Sequence, residues 1–256
     1  MQATATTLDN AQDTVPVNSR NKVVVASLIG TAIEFFDFYI YATAAVIVFP
    51  HIFFPQGDPA AATLQSLATF AIAFIARPIG SAVFGHFGDR VGRKTTLVAS
   101  LLTMGISTVV IGLLPGYETI GIMAPVLLAL ARFGQGLGLG GEWGGAALLA
   151  VESAPKNKKA FYSSGVQVGY GVGLLLSTGL VSLISASTTD EQFLSWGWRL
   201  PFLFSVVLVL AALWIRNGMA ESAEFEQQQR EQQGQPKKKR LPVVEALFRH
   251  PGAFLM

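Results

Sequence analysis

The sequence predicts an all-α membrane protein built on a bundle of six membrane-spanning helices. Only 13% of its 256 residues are charged, roughly half the share expected of a soluble chain. Apolar residues make up 51%, with 18 Phe suited to facing lipid and 26 Gly that let helices approach closely. These residues also fall into continuous runs of about 20, the length that crosses a hydrocarbon core. A membrane β-barrel would instead show alternating segments of about ten residues.

In chain order, residues 1–21 are polar and are expected to form a disordered cytoplasmic N-terminus. A cleaved signal peptide is not expected, because the first apolar run is too long and follows about twenty polar residues. The six spans are predicted at 23–49, 64–84, 96–114, 120–151, 161–184 and 198–215, within a transmembrane domain covering 22–216. Residues 217–250 include the low-complexity stretch EFEQQQREQQGQPKKKR and are expected to form a cytoplasmic central loop. Residues 251–256 read as the truncated start of a seventh helix.

Lys and Arg set the expected orientation. Arg20 and Lys22 precede the first span, Arg90, Arg93 and Lys94 separate spans two and three, and Lys156, Lys158 and Lys159 separate spans four and five. Further basic residues run from Arg216 to Arg249, whereas PHIFFPQGDPAAAT, PGYET and SASTTDEQ carry none. Both termini are therefore expected in the cytoplasm. A net charge of +2 without a basic-aromatic patch argues against a nucleic-acid partner. The absence of Cys excludes disulfides and thiolate chemistry, and the three scattered His lack metal-ligand spacing, so neither metal nor cofactor is expected.

The stretch GHFGDRVGRKT, residues 85–95, concentrates charge between two apolar runs. Topology accounts for Arg90, Arg93 and Lys94 but not for Asp89, nor for Gly85, Gly88 and Gly92, which permit a sharp turn and close approach. The pattern G-x-x-x-D-R-x-G-R-K, with Gly85, Asp89, Arg90, Gly92, Arg93 and Lys94, resembles the signature loop between helices 2 and 3 of the major facilitator superfamily. GTAIEFFDFYIY, FIARPIGS and RFGQGLGLGGEWGGA resemble its metabolite:proton symporter branch, which carries shikimate, α-ketoglutarate, citrate, and proline or betaine. The resemblance covers about residues 22–256 and implies the N-terminal half of a twelve-helix fold in an inner (plasma) membrane. It further implies alternating access, a small metabolite and protons as cargo, and a partner that is either the missing C-terminal half or a second copy.

Five ionisable residues fall within the spans: Glu34, Asp37, Arg77, Arg132 and Glu142. Each costs roughly 2.5–3.5 kcal/mol at a helix centre, so each should face the bundle interior and a partner. Asp37 lies about 21 Å along helix 1, and Arg132 about 18 Å along the antiparallel helix 4. In a membrane about 40 Å thick with its interfaces, the two meet near one depth. Arg77, about 10 Å from the end of helix 2, matches Glu142 and Glu34 better. Such charges either fix helix packing as neutralising pairs or exchange protons, with an adjacent Arg tuning the carboxylate. The resemblance favours the second reading: Arg132 matches the family's helix 4 arginine, and Asp37, with Glu34 second, is the expected proton carrier.

Tyr41 and Gln135 follow Asp37 and Arg132 by four and three positions, so both could line the same polar cavity. Gln167 and Tyr170 on helix 5 are weaker cavity candidates. Gly134, Gly138, Gly141 and Gly145 should line one face of helix 4, and Gly165, Gly169 and Gly173 one face of helix 5, for close packing. His86 is expected to be solvated. Glu152, in AVESAP, resembles the family's acidic residue twenty positions after the arginine, so an Arg93–Glu152 salt bridge is expected, with Asp89 meeting the second half. Importing a small organic acid or zwitterion by proton symport is the leading function. A non-transporting scaffold or sensor, or a half-size protein needing a partner, is the alternative; no arrangement points to an enzyme.

Overall fold

The computed structural model describes residues 20–55, 58–152 and 159–217. The expectations for residues 1–19 and 218–256 lie outside the described residues. Six long helices dominate: α1 (Arg20–Ile47), α2 (Pro59–Val91), α3 (Arg93–Leu113), α4 (Met123–Glu152), α5 (Lys159–Ser187) and α6 (Arg199–Asn217). The first five are long and apolar enough to cross a membrane, and α6 makes a sixth span if joined to the preceding bent segment. At 33 residues, α2 is much longer than its predicted span, because counting apolar residues measures the hydrocarbon core while helices run on into the interface.

Local signals set the helix ends. Asp58 caps α2 by accepting a hydrogen bond from the Ala61 amide at 3.1 Å, and Pro59 supplies a first helical residue that needs no donor. Pro78 sits inside α2, where a bundle can re-satisfy the carbonyl it frees. Two segments expected to be loops contain helical turns, at Phe49–Ile52 and Tyr117–Ile120. The approach to α6 starts earlier than predicted. Thr189 and Gln192 form a reciprocal cap, a π-helical turn spans Phe193–Gly197, and the chain bends by 46° into α6.

The charged stretch at 85–95 is mostly helical rather than a loop, since its charged residues do not oppose helix formation. Only Gly92 separates α2 from α3, with φ at 118°, a backbone region closed to side chains. Thr96 closes the turn by donating its hydroxyl to the Gly92 carbonyl at 2.8 Å. Gly85 has open space beside it and Gly88 only ordinary contacts near 3.8 Å, so the sharp turn rests on Gly92.

α1 packs chiefly on α5, α2 on α4, and α3 on both α4 and α6. A Cβ at Gly138 would lie 2.7 Å from the Met104 nitrogen and the Ser100 carbonyl oxygen of α3, so this approach needs glycine. Gly134 also faces α3, but Gly141 meets the Phe84 side chain of α2, so the expected single glycine face of α4 divides between two neighbours. α4 touches both α2 and α3, which is why positions three or four apart can meet different helices. Gly169 and Gly173 lie against α1, while the surroundings of Gly145 and Gly165 within their helices lie outside what is described.

Candidate functional site

The centre of the bundle is polar. Asp37 on α1 is completely buried, and its Oδ2 accepts a hydrogen bond from Thr108 Oγ1 of α3 at 2.7 Å. Gln135 on α4 donates Nε2 to the same hydroxyl at 2.9 Å, and Arg132 Nη1 donates to Gln135 Oε1 at 2.5 Å. Asp37 and Arg132 are thus joined through Thr108 and Gln135, not by the direct pair that depth matching suggests. Equal depth leaves the azimuth open, and α3 places a hydroxyl between the two charges.

Arg132 is 1% exposed, and an aromatic face holds its charge. Its guanidinium carbon stands 3.8 Å from the Tyr41 ring centroid and 4.9 Å from that of Phe70. A desolvated contact of this kind is worth about 2 kcal/mol. Tyr41 itself is held by a hydrogen bond between its hydroxyl and Thr69, and Thr69 donates in turn to the Ser66 carbonyl.

A second cluster adjoins the first. Arg77 Nη2 of α2 donates to Glu34 Oε1 of α1 at 2.5 Å, a salt bridge whose side chains are 35% and 5% exposed. Glu142 of α4 is buried and close enough to act electrostatically on both Glu34 and Asp37. Gln167 and Tyr170 of α5 lie on an exposed face, apart from the buried network. Tyr170 shares a 2.7 Å hydroxyl contact with Tyr39 of α1 and meets Phe35 edge to face.

Arg90 is exposed, and Lys94 Nζ donates to the Asn217 carbonyl at 3.0 Å, tying α3 to the end of α6. The side chains of Asp89, Arg93 and Glu152 lie outside the described residues, and with them the expected Arg93–Glu152 bridge. His86 is half-buried rather than solvated, with Nδ1 enclosed and lacking a hydrogen-bond partner.

Thr108 is the residue that the sequence did not single out. Threonines commonly return their hydroxyl to the carbonyl four residues back, and Thr108 does so to Met104 at 3.0 Å, so nothing in its context marks it. The Thr108 hydroxyl thus has two acceptors within reach, Asp37 Oδ2 and the Met104 carbonyl. Asp37 Oδ1 is buried and has no hydrogen-bond partner among the described residues.

Superposition on known structures defines the fold. The bundle matches the partially occluded, inward-open xylose transporter XylE of E. coli with a TM-score of 0.73 at 19% identity, over 84% of this chain and 53% of that one. It therefore has the fold of the N-terminal six-helix half of the major facilitator transporters. The chain belongs to the sugar (and other) transporter family, whose model matches residues 22–240. It is 69% identical to the inner membrane metabolite transport protein YhjE of Escherichia coli K12 over the whole of this chain and 58% of that protein. It is 62% identical to the shikimate transporter of the same strain, over 95% of this chain and 55% of that protein. The chain thus spans little more than half the length of these relatives, and both are transporters rather than enzymes.

Proposed function

We propose that the chain is the first half of a proton-coupled importer of a small organic acid or zwitterion. It works with a second six-helix half that rocks against it around a site near the bilayer midplane. The observation that carries this reading is the Asp37–Thr108–Gln135–Arg132 chain. It is a fully buried run of polar and charged groups in a protein with a largely apolar surface. Ionisable groups at this depth are expensive and mark ion or substrate pathways. Asp37 is the proton carrier in this scheme. Arg132, held on Tyr41 and linked through Gln135, supplies the positive field that lets Asp37 ionise when it releases its proton.

The shikimate relative supports an organic acid as cargo, and its printed substrate supplies a probe. The Lys and Arg distribution supports an inner-membrane orientation with both termini in the cytoplasm.

The test uses the carrier with both six-helix halves in proteoliposomes under an imposed proton gradient. Asp37→Asn abolishes uphill shikimate accumulation and leaves shikimate counterflow within about twofold of the unmodified protein. Uphill accumulation at the unmodified level in that variant would remove Asp37 from the mechanism.

A further inference from the structure

The Arg77–Glu34 pair differs in kind from the network around Asp37. Glu34 is almost entirely enclosed, whereas about a third of the Arg77 side chain is open. A guanidinium offers five N–H donors, and the pair uses one nitrogen on one carboxylate oxygen. Arg77 therefore keeps further donors on its open side that this pair does not engage, at a depth where an isolated charge is costly. Arg–carboxylate pairs are frequently two-pronged, whereas this one uses a single contact.

We propose that Arg77 anchors a carboxylate of the transported metabolite, and that Glu34 holds this anchor in the empty carrier and takes up a proton when the substrate displaces it. The proposal rests on the functional reading above and adds the substrate's recognised group and a second coupling site. Its charge balances. In the empty state Arg77 and Glu34 form a neutral pair. In the loaded state the Arg77–Glu34 contact is broken, an Arg77–substrate carboxylate pair is made, and one proton from the aqueous side sits on Glu34, so the site is again neutral.

The neighbours drive the exchange. Once Arg77 turns to the substrate, Glu34 is left as a buried carboxylate without its counter-charge, and such a group neutralises rather than stays ionised. Glu142 of α4 is also buried beside this pair. Asp37 stands one turn further along α1 but is held by Thr108. From α5, Tyr170 engages Tyr39 and Phe35. From α6, Arg199 is held at the far end by the Gly112 and Leu114 carbonyls. Arg77 is thus the one cation that pairs with Glu34 among the described residues. Organic acids and zwitterions such as amino acids share the carboxylate that this anchor reads, so one site serves both classes.

The experiment measures binding of shikimate and of its uncharged methyl ester to the purified two-half carrier across pH. The unmodified protein binds shikimate and binds the ester at least tenfold more weakly. Its affinity for shikimate falls by up to tenfold per pH unit on the alkaline limb, because binding takes up a proton. Arg77→Gln weakens shikimate binding by about tenfold to a hundredfold and removes the preference over the ester. Glu34→Gln, which copies the protonated state, keeps shikimate binding and flattens the alkaline limb. Because Arg77→Gln strands a buried carboxylate and could fail to fold, the Arg77→Gln/Glu34→Gln double variant serves as the second test and loses both preference and limb. Unchanged ester discrimination in the Arg77 variants, or an unchanged limb in Glu34→Gln, overturns this inference while leaving proton-coupled transport standing. No saturable shikimate binding by the unmodified protein overturns the functional reading beneath it.

Discussion

The end of the bundle around Phe49 and its polar middle are built from the same helices by opposite means. At the Phe49 end, Phe49, Phe53, Trp198 and Phe202 are almost completely buried, and Trp198 meets each of the three Phe rings nearly edge to face. Arg199 seals this end by donating to the Gly112 and Leu114 carbonyls at 2.8 Å, groups that the end of α3 leaves unpaired. In the middle, the same α1 and α3 enclose Asp37, Thr108, Gln135 and Arg132. Edge-to-face ring pairs add about 0.5–1.5 kcal/mol each beyond the area they bury. A buried charged network at best breaks even against an apolar core. The contrast teaches that apolar packing and buried charge are assigned to different depths: the Phe49 end holds the helices together, and under the proposed function the middle can then change protonation without releasing them.

Trp198→Ala should attack this division hardest. It removes the largest ring at the Phe49 end and should cost about 3–5 kcal/mol, read as a lowered thermal midpoint of the purified protein. A smaller fall than that caused by Asp37→Asn, which swaps a buried charge for its isostere, would show that the middle, not the end, holds the bundle. Gly138→Ala comes next, at about 1–3 kcal/mol, because its methyl group meets α3 backbone that cannot yield. The same change pushes Gln135 away from Thr108, so uptake should fall along with the midpoint; a lower midpoint with full uptake would separate the α3–α4 seam from the network. Thr108→Val should be the mildest in stability, about 1 kcal/mol, while proton-driven uptake falls strongly. Thr108→Ser should restore uptake. Failure of that rescue would mean that shape rather than the hydroxyl matters there.

How much of this was readable beforehand varies with the kind of question. Charge depletion and apolar run length already implied six helices, since lipid imposes a length on each span. The five intramembrane charges were visible as isolated expensive residues, and depth arithmetic brought Arg77 to the level of Glu34, where the 2.5 Å salt bridge is found. Depth did not identify Thr108, because a threonine returning its hydroxyl to its own helix looks the same whether or not a carboxylate faces it. Nor did it show that Tyr41, beyond lining the polar centre, lies under Arg132 at 3.8 Å.

The sequence by itself determined which segments are long and apolar enough to span a membrane, which residues there carry charge, and that the chain turns among Gly85, Gly88 and Gly92; the structure put that turn at Gly92. These follow from one-dimensional quantities: hydropathy, length and the steric freedom of a single residue. Only the tertiary structure decided which charge touches which. A helix presents a different side every 100°, so the partner of Asp37 depends on how α1, α3 and α4 rotate against one another. That rotation is set by close-packed contacts such as Gly138 against Met104 and Ser100, which join residues more than thirty positions apart.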